Sequence, residues 1–167
     1  MDTGLDQQQA RQKQFAGKLA MLLLAACVSG GAFAQGPDTF GKAGTMKLVQ
    51  GDVRVKDAQG ERKLMPGDTL APADQVMTGP DGAASMVLRD GTTMMVGPKS
   101  RIDLNTFAYN STTQEGNLVV AVLRGSMRMI TGLISKTNPN AVSVTTRTAT
   151  IGVRGTDFIV EVDGEAQ

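Results

Sequence analysis

The chain has 167 residues, a length that suits one domain with a modest core. It contains no histidine and one cysteine, which excludes an intrachain disulfide, imidazole-based catalytic pairs, and zinc or copper sites built from several such ligands. Its formal net charge is +1, and such a balance argues against nucleic-acid binding, which needs a basic face.

An export signal is predicted over residues 1–34. Its basic segment contains three cations: Arg11, Lys13 and Lys18. The apolar run that follows, over 19–28, is too short to span a bilayer as a helix. Residues 29–31, Ser-Gly-Gly, end the run, and an Ala-x-Ala pattern predicts cleavage after Ala34. The mature protein would then be periplasmic, formally neutral and without a membrane span.

A second interpretation concerns Cys27. The sequence Leu-Ala-Ala-Cys over 24–27 also matches the pattern at which a cysteine is acylated and becomes the first mature residue. Several acyl chains would hold the domain at a membrane surface as a lipoprotein. We favour cleavage after Ala34, because the Ser-Gly-Gly break and the Ala-x-Ala site together form a complete signal.

The mature chain is predicted to be a flexible leader over 35–45, followed by one β domain over 46–167. Short runs with alternating apolar residues predict many strands: 46–56 with a corner at Gly51, 62–64, 70–72, 76–78, 83–89, 92–96, 102–104, 117–123, 125–130 and 142–144. Polar loops are expected over 105–116 and 132–140. No segment after the signal helix keeps a helical period, so the fold class is all-β.

The most specific stretch is 148–162, which ends in a clean alternation. Phe158, Val160 and Val162 would face one side of a strand, and Asp157, Ile159, Glu161 and Asp163 the other. Before this strand, Gly155 is expected to take a backbone conformation that favours glycine. Arg154 is expected to point inward, with its guanidinium held by carboxylate or carbonyl groups.

The segment Gly152-Val153-Arg154-Gly155-Thr156-Asp157-Phe158 resembles the signature of the FecR-type domain. Upstream glycine corners follow the same order, at Gly51-Asp52, Gly67-Asp68, Asp90-Gly91 and Gly125-Ser126. The resemblance covers about 46–162. It implies a small, twisted, partly solenoid-like unit of short strands with glycine corners, in which the signature residues are structural.

No catalytic residue, cofactor site or metal site is predicted. Gly152 and Gly155 do not form a phosphate loop, because a strand follows them rather than a helix. A carboxylate pair such as Asp90 and Asp157 could serve a glycosidase, but turn-forming roles and pairing with Arg154 are the better interpretation.

The resemblance implies a non-catalytic module that binds an envelope protein, in the class of sensing and signalling proteins. This chain lacks the sigma-binding region and membrane helix of such regulators, so we expect a stand-alone exported domain. Its terminal strand is a candidate edge for pairing with another copy. The alternative is a cell-wall or surface-glycan binding module. It is motivated by threonines such as Thr146 and Thr148, and weakened by an aromatic content of only 4%.

Overall fold

The computed structural model describes residues 41–155 and 157–163. Within them lie twelve strands: β1 (Gly44–Gln50), β2 (Val53–Asp57), β3 (Gly60–Lys63), β4 (Thr69–Leu70), β5 (Gln75–Thr78), β6 (Ala83–Leu88), β7 (Thr93–Val96), β8 (Arg101–Tyr109), β9 (Gly116–Ile130), β10 (Val142–Thr145), β11 (Thr150–Gly152) and β12 (Asp157–Val162). A helix, α1 (Leu133–Thr137), and a 3₁₀ turn (Pro139–Ala141) connect β9 to β10. The predicted all-β class is confirmed.

Two predicted loops are partly regular structure. The first half of the loop expected over 105–116 belongs to β8, whose pairing with β9 shifts register between Asp103 and Thr106. This irregularity interrupts the alternation, which is why the sequence pattern indicated a loop there. Phe107 lies opposite Leu118 and is buried. The loop expected over 132–140 contains α1 and the 3₁₀ turn instead.

The strands form one sheet that curls into a half barrel. In the first leaf, the spatial order is β3-β2-β5-β8-β9-β10-β11, using the amino-terminal half of β9. In the second leaf, the order is β4-β1-β6-β7-β9-β12, using the carboxy-terminal half of β9. The 15-residue strand β9 therefore runs through both leaves and joins them.

The passage of β9 between the leaves occurs at Gly125. Its φ is 82°, a conformation that glycine adopts without a steric cost. Any Cβ at this position would overlap the side chain and backbone of Ser100. The Ser100 hydroxyl in turn accepts a hydrogen bond from the Ser126 N–H at 3.0 Å. Glycine is thus required here both for conformation and for close approach.

The core is aliphatic and rich in methionine. Four methionines form one row across neighbouring strands of the second leaf, each facing the next, and each is at most 1% exposed: Met46, Met86, Met94 and Met129. Phe158 of β12 extends the row beyond Met129 and is half-buried. These flexible thioether side chains fill the space that aromatic residues occupy in other cores.

A buried polar network fixes the turn between β6 and β7. The carboxylate of Asp90 accepts hydrogen bonds from the N–H of Thr92 at 3.0 Å and from its hydroxyl at 2.7 Å. The Thr92 hydroxyl oxygen also accepts the N–H of Gly132, and the Asp90 carbonyl accepts the N–H of Leu133. The turn is thereby tied to the start of α1.

The turn between β8 and β9 is closed by its own residues. The N–H of Asn110 donates to the carbonyl of Glu115, and the Asn110 side chain accepts the N–H groups of Thr112 and Thr113. Residues 110–115 are all exposed.

In the described part of the chain, the helix is too short to cross a membrane.

Candidate functional site

The signature segment lies at the outer border of the sheet, where the chain leaves the first leaf and enters the second. Val153 is buried, and its N–H donates to the carbonyl of Val142 at 3.0 Å. Gly155 has a φ of 52°, which confirms the predicted glycine-favoured conformation. A Cβ at Gly155 would approach only the Ser135 hydroxyl, at 3.6 Å, so conformation and not space selects glycine. Gly152 is exposed in β11, and Thr156 lies outside the described residues.

Arg154 does not point inward as the sequence suggested. Its side chain is exposed at the corner between β11 and β12. Because the turn at Gly155 lies at the surface, the residue before it faces solvent while Val153 faces the core. The expectation of a buried guanidinium at this position was therefore wrong.

The arginine that pairs with the signature carboxylate is Arg128. Its Nε lies 2.8 Å from Asp157 Oδ1 and its Nη2 lies 2.5 Å from Asp157 Oδ2, a bidentate arrangement. Hydrogen bonding to Arg128 lowers the pKa of Asp157 below its ordinary value. The same bonds raise the pKa of Arg128. Both side chains are about half exposed, so solvent weakens the pair, and its geometry agrees with the register of β12 on β9.

The predicted alternation of β12 is confirmed. Val160 is buried, and Phe158 and Val162 are half-buried and pack against the core. On the opposite face, Glu161 is exposed and Ile159 is 69% exposed. This is the largest exposure among the large hydrophobic side chains of the described residues.

Ile159 lies on the outward side of the second leaf, a mixed polar and apolar surface that we call the outer face of the second leaf. It contains four exposed hydrophobic residues: Leu48, Met95, Ile130 and Ile159. Strand pairing places Met95, Arg128 and Ile159 in one cross-strand row. The row ends at β12 without a further strand in the described part of the chain.

The backbone groups on the unpaired side of β12, as seen among residues 41–155 and 157–163, can be identified. Ser126 directs its C=O to the N–H of Gly97 and its N–H to the Ser100 hydroxyl, so its polar groups face away from β12. Since these groups alternate in direction along a strand, Met127 faces β12 and bonds its partner Val160. The N–H and C=O of Ile159 and Glu161 therefore point outward, away from β9.

The other three edges of the described sheet offer less to a partner strand. β3 has four residues, all exposed, of which Glu61, Arg62 and Lys63 are charged. β4 has two residues and β11 has three. With six residues, β12 is the longest edge strand of the part described. Short or heavily charged edges are the usual means by which proteins prevent strand addition.

The residues considered for other chemistry have structural partners. Asp90 is buried in the network with Thr92, and Asp157 pairs with Arg128, so each carboxylate is engaged separately. The hydroxyl oxygen of Thr146 accepts the N–H groups of Thr148 and Ala149 within a turn. Cys27 and Ala34 lie outside the described residues.

Sequence reasoning placed Ile159 on the correct face of its strand. It did not predict the pairing of Arg128 with Asp157 or the position of β12 at the edge of the sheet. Arg128 was not singled out, because its contact with Asp157 depends on the register between β9 and β12, which are 29 residues apart at this pair. The outer edge was likewise hidden until the pairing of β12 was known. A weak signal existed in the alternation of Arg128 with buried Met127 and Met129.

The chain matches known proteins in two comparisons. A family model described as "FecR protein" matches residues 74–167, more than half of the 167 residues and including the signature. A solved structure described as "Cell surface anchoring domain" is 30% identical, over 37% of this chain and 83% of that one. Its TM-score of 0.36 is too low to support a function. No curated protein matches the chain. Because the FecR protein model matches residues 74–167, more than half of the chain, the chain belongs to the FecR protein family.

Proposed function

We propose that this protein is a non-catalytic periplasmic module that binds a protein partner by adding a strand of that partner to β12. FecR domains typically belong to the cell envelope, which supports this location. Strand addition provides affinity through main-chain hydrogen bonds and specificity through alternate side chains. A module of this kind would serve envelope sensing or scaffolding without chemistry of its own.

The observation that carries the proposal is the edge of β12 that has no partner strand in the described part of the chain. This strand begins with the last two residues of the family signature, pairs on one side with β9 and directs the polar backbone groups of Ile159 and Glu161 outward. The exposed Ile159 side chain lies beside these groups. An incoming strand would therefore gain hydrogen bonds and cover apolar surface at the same place.

A non-catalytic role is supported by how the buried acids are used. Asp90 is 1% exposed and bonds Thr92. Asp74 is 6% exposed, and one of its oxygens accepts the N–H of Ala71 at 2.8 Å. Burial raises the pKa of Asp74, while the bond from Ala71 opposes that rise. Both acids thus stabilise turns, in agreement with the frequent use of aspartate at such positions.

The experiment compares three forms of the full chain in co-purification from cell-envelope extracts. Ile159→Pro removes one outward N–H, which an edge strand tolerates because that group has no partner within the sheet. Ile159→Thr retains the N–H and a β-branched side chain, and serves as the matched control. We expect wild type and Ile159→Thr to retain a partner protein and Ile159→Pro to lose it.

A folding control accompanies this comparison. The N–H of Val160 points toward β9, so Val160→Pro should remove a ladder bond, leave the facing carbonyl without its donor and destabilise the protein by about 1–3 kcal/mol. Thermal unfolding should show Ile159→Pro close to wild type and Val160→Pro well below it. If the folded Ile159→Pro variant still retained the partner, binding through this edge would be excluded.

The glycan-binding alternative has less support from the site. Of the three aromatic side chains in the described residues, Phe107 is buried, and Tyr109 and Phe158 are half-buried and pack against the core. None is therefore presented as a flat platform on which a sugar ring could stack.

A further inference from the structure

We infer that the strand received by β12 is a basic–apolar–basic segment of a different protein, and not β12 of a second copy. This inference rests on the function proposed above and specifies the chemistry of the partner. The partner strand would place an apolar side chain opposite Ile159 and a lysine or arginine opposite each of the two acids on either side of it, Asp157 and Glu161. Its alternate residues, on the inner side, would be apolar.

The charge on the outer side of β12 is the first argument. Asp157, Glu161 and Asp163 are exposed acids within one seven-residue stretch. Asp157 pairs with Arg128 but stays about half exposed, whereas Glu161 has no ion pair among the described residues. Residues directly opposite one another in an antiparallel pair interact, and opposite charges stabilise the pair. A cation opposite Glu161 would supply the partner that this carboxylate lacks.

The second argument concerns a partner copy of the same strand. The backbone groups that point outward belong to odd-numbered residues such as Ile159 and Glu161. In an antiparallel pair of two copies of β12 these groups bond one another, so odd-numbered residues lie opposite odd-numbered residues. A two-fold register centred on Ile159 places Asp157 opposite Glu161, and one centred on Val160 places Asp157 opposite Asp163. A register centred on Glu161 places that residue opposite itself. Each of these arrangements sets two acids face to face, which is destabilising. A register centred on Phe158 avoids such a contact but pairs only residues 157–159 of β12.

The inner side of β12 defines the remaining positions of the partner strand. Phe158 and Val162 are only half-buried, although they pack against the core. They flank Val160, which is 7% exposed. An added strand with apolar residues on this side would complete the burial of Phe158 and Val162. The inner side of the partner strand is therefore entirely apolar, and its two charged residues lie on the outer side, one on each side of an apolar residue.

The probes are three short synthetic peptides with serine-rich flanks, titrated into the full chain and followed by fluorescence anisotropy. The first has the core Lys-Val-Val-Val-Lys. The second replaces both lysines with glutamate. The third keeps the lysines but carries N-methyl groups on alternate amides, so that its edge cannot donate hydrogen bonds. We expect the lysine peptide to bind about threefold more tightly than the glutamate peptide, and the N-methylated peptide not to bind.

The matched variant is Glu161→Lys, which should reverse the preference so that the glutamate peptide binds more tightly. Ile159→Pro should abolish binding of both unmodified peptides. Because Glu161 is exposed and has no ion pair in the described chain, its replacement should leave the unfolding temperature near that of wild type. Sedimentation of the full chain should give a monomer at the concentrations used.

The outcomes separate the two proposals. If the N-methylated peptide bound as well as its parent, or Ile159→Pro had no effect, strand addition itself would be refuted. If strand addition occurred but wild type and Glu161→Lys each bound the lysine and glutamate peptides equally well, only the inference about charge would be overturned. A dimer that Ile159→Pro dissociated would show that the occupant is a second copy, contrary to this inference.

Discussion

Single residues in the signature have separable roles. Gly155 adopts a left-handed backbone conformation with room around it. Gly152, three residues earlier, also has open space around it, but its backbone is not left-handed. An L-residue in the left-handed region is destabilised by about 1–2 kcal/mol. The chain thus contains a natural pair of positions for testing whether backbone conformation selects glycine at this corner.

We predict that Gly155→Ala lowers the free energy of unfolding by about 1–2 kcal/mol, while Gly152→Ala changes it by less than about 0.5 kcal/mol. Urea denaturation of the full chain measures both. Equal effects of the two substitutions would contradict a conformational role for Gly155.

The conformation of Gly155 was predictable from sequence, but the orientation of Arg154 was not. A glycine between a long cation and a β-branched residue is a local signal, and local backbone geometry follows from it. The direction of the Arg154 side chain depends instead on which surface the corner meets after folding. Asp157 similarly took Arg128 as its partner because β12 lies directly beside β9. Such long-range contacts leave little trace in a single sequence.

Individual strands reflect the same division. Alternation and glycine corners predicted most of the strands, because the two-residue period and the turn residues are local properties. The pairing of β1 with β6, and of β9 with β12, is determined by the closing of the core. The row of four buried methionines appears only once these strands are neighbours.

At the scale of these strands, we predict that Met94→Ala costs about 2–5 kcal/mol of stability and that Met94→Leu costs less than about 1.5 kcal/mol. Met94 is 1% exposed and contributes to the methionine row. Met95, the next residue, lies on the outer face and is 38% exposed, so Met95→Ala is the matched control and should cost much less. Chemical denaturation distinguishes these cases. A large loss for Met95→Ala would show that the outer face is already covered within the folded protein.

The whole molecule depends on β9, which pairs with β8 and β10 in one leaf and with β7 and β12 in the other. Two leaves that share a central strand are expected to unfold together. Tyr109, the one tyrosine of the chain, belongs to the first leaf, and there is no tryptophan. Its fluorescence therefore reports on that leaf alone, whereas circular dichroism reports on all strands.

We predict that unfolding curves from Tyr109 fluorescence and from circular dichroism coincide, and that Gly125→Ala shifts both by roughly 3 kcal/mol or more. Gly91 is the control, since it has a similar φ of 85° against 82° but nothing near the position of a Cβ. Gly91→Ala should therefore show the conformational cost alone. Separate transitions by the two probes would mean that the leaves are independent.

The self-closed turn between β8 and β9 has a practical consequence. Because residues 110–115 satisfy one another's hydrogen bonds and are exposed, the strands on either side do not depend on the tip of this turn. A short labelled peptide or an affinity tag inserted between Ser111 and Thr112 would leave the signature and β12 untouched. Protein labelled in this way would allow binding of the partner to be followed in living cells, because the label does not obstruct the edge of β12.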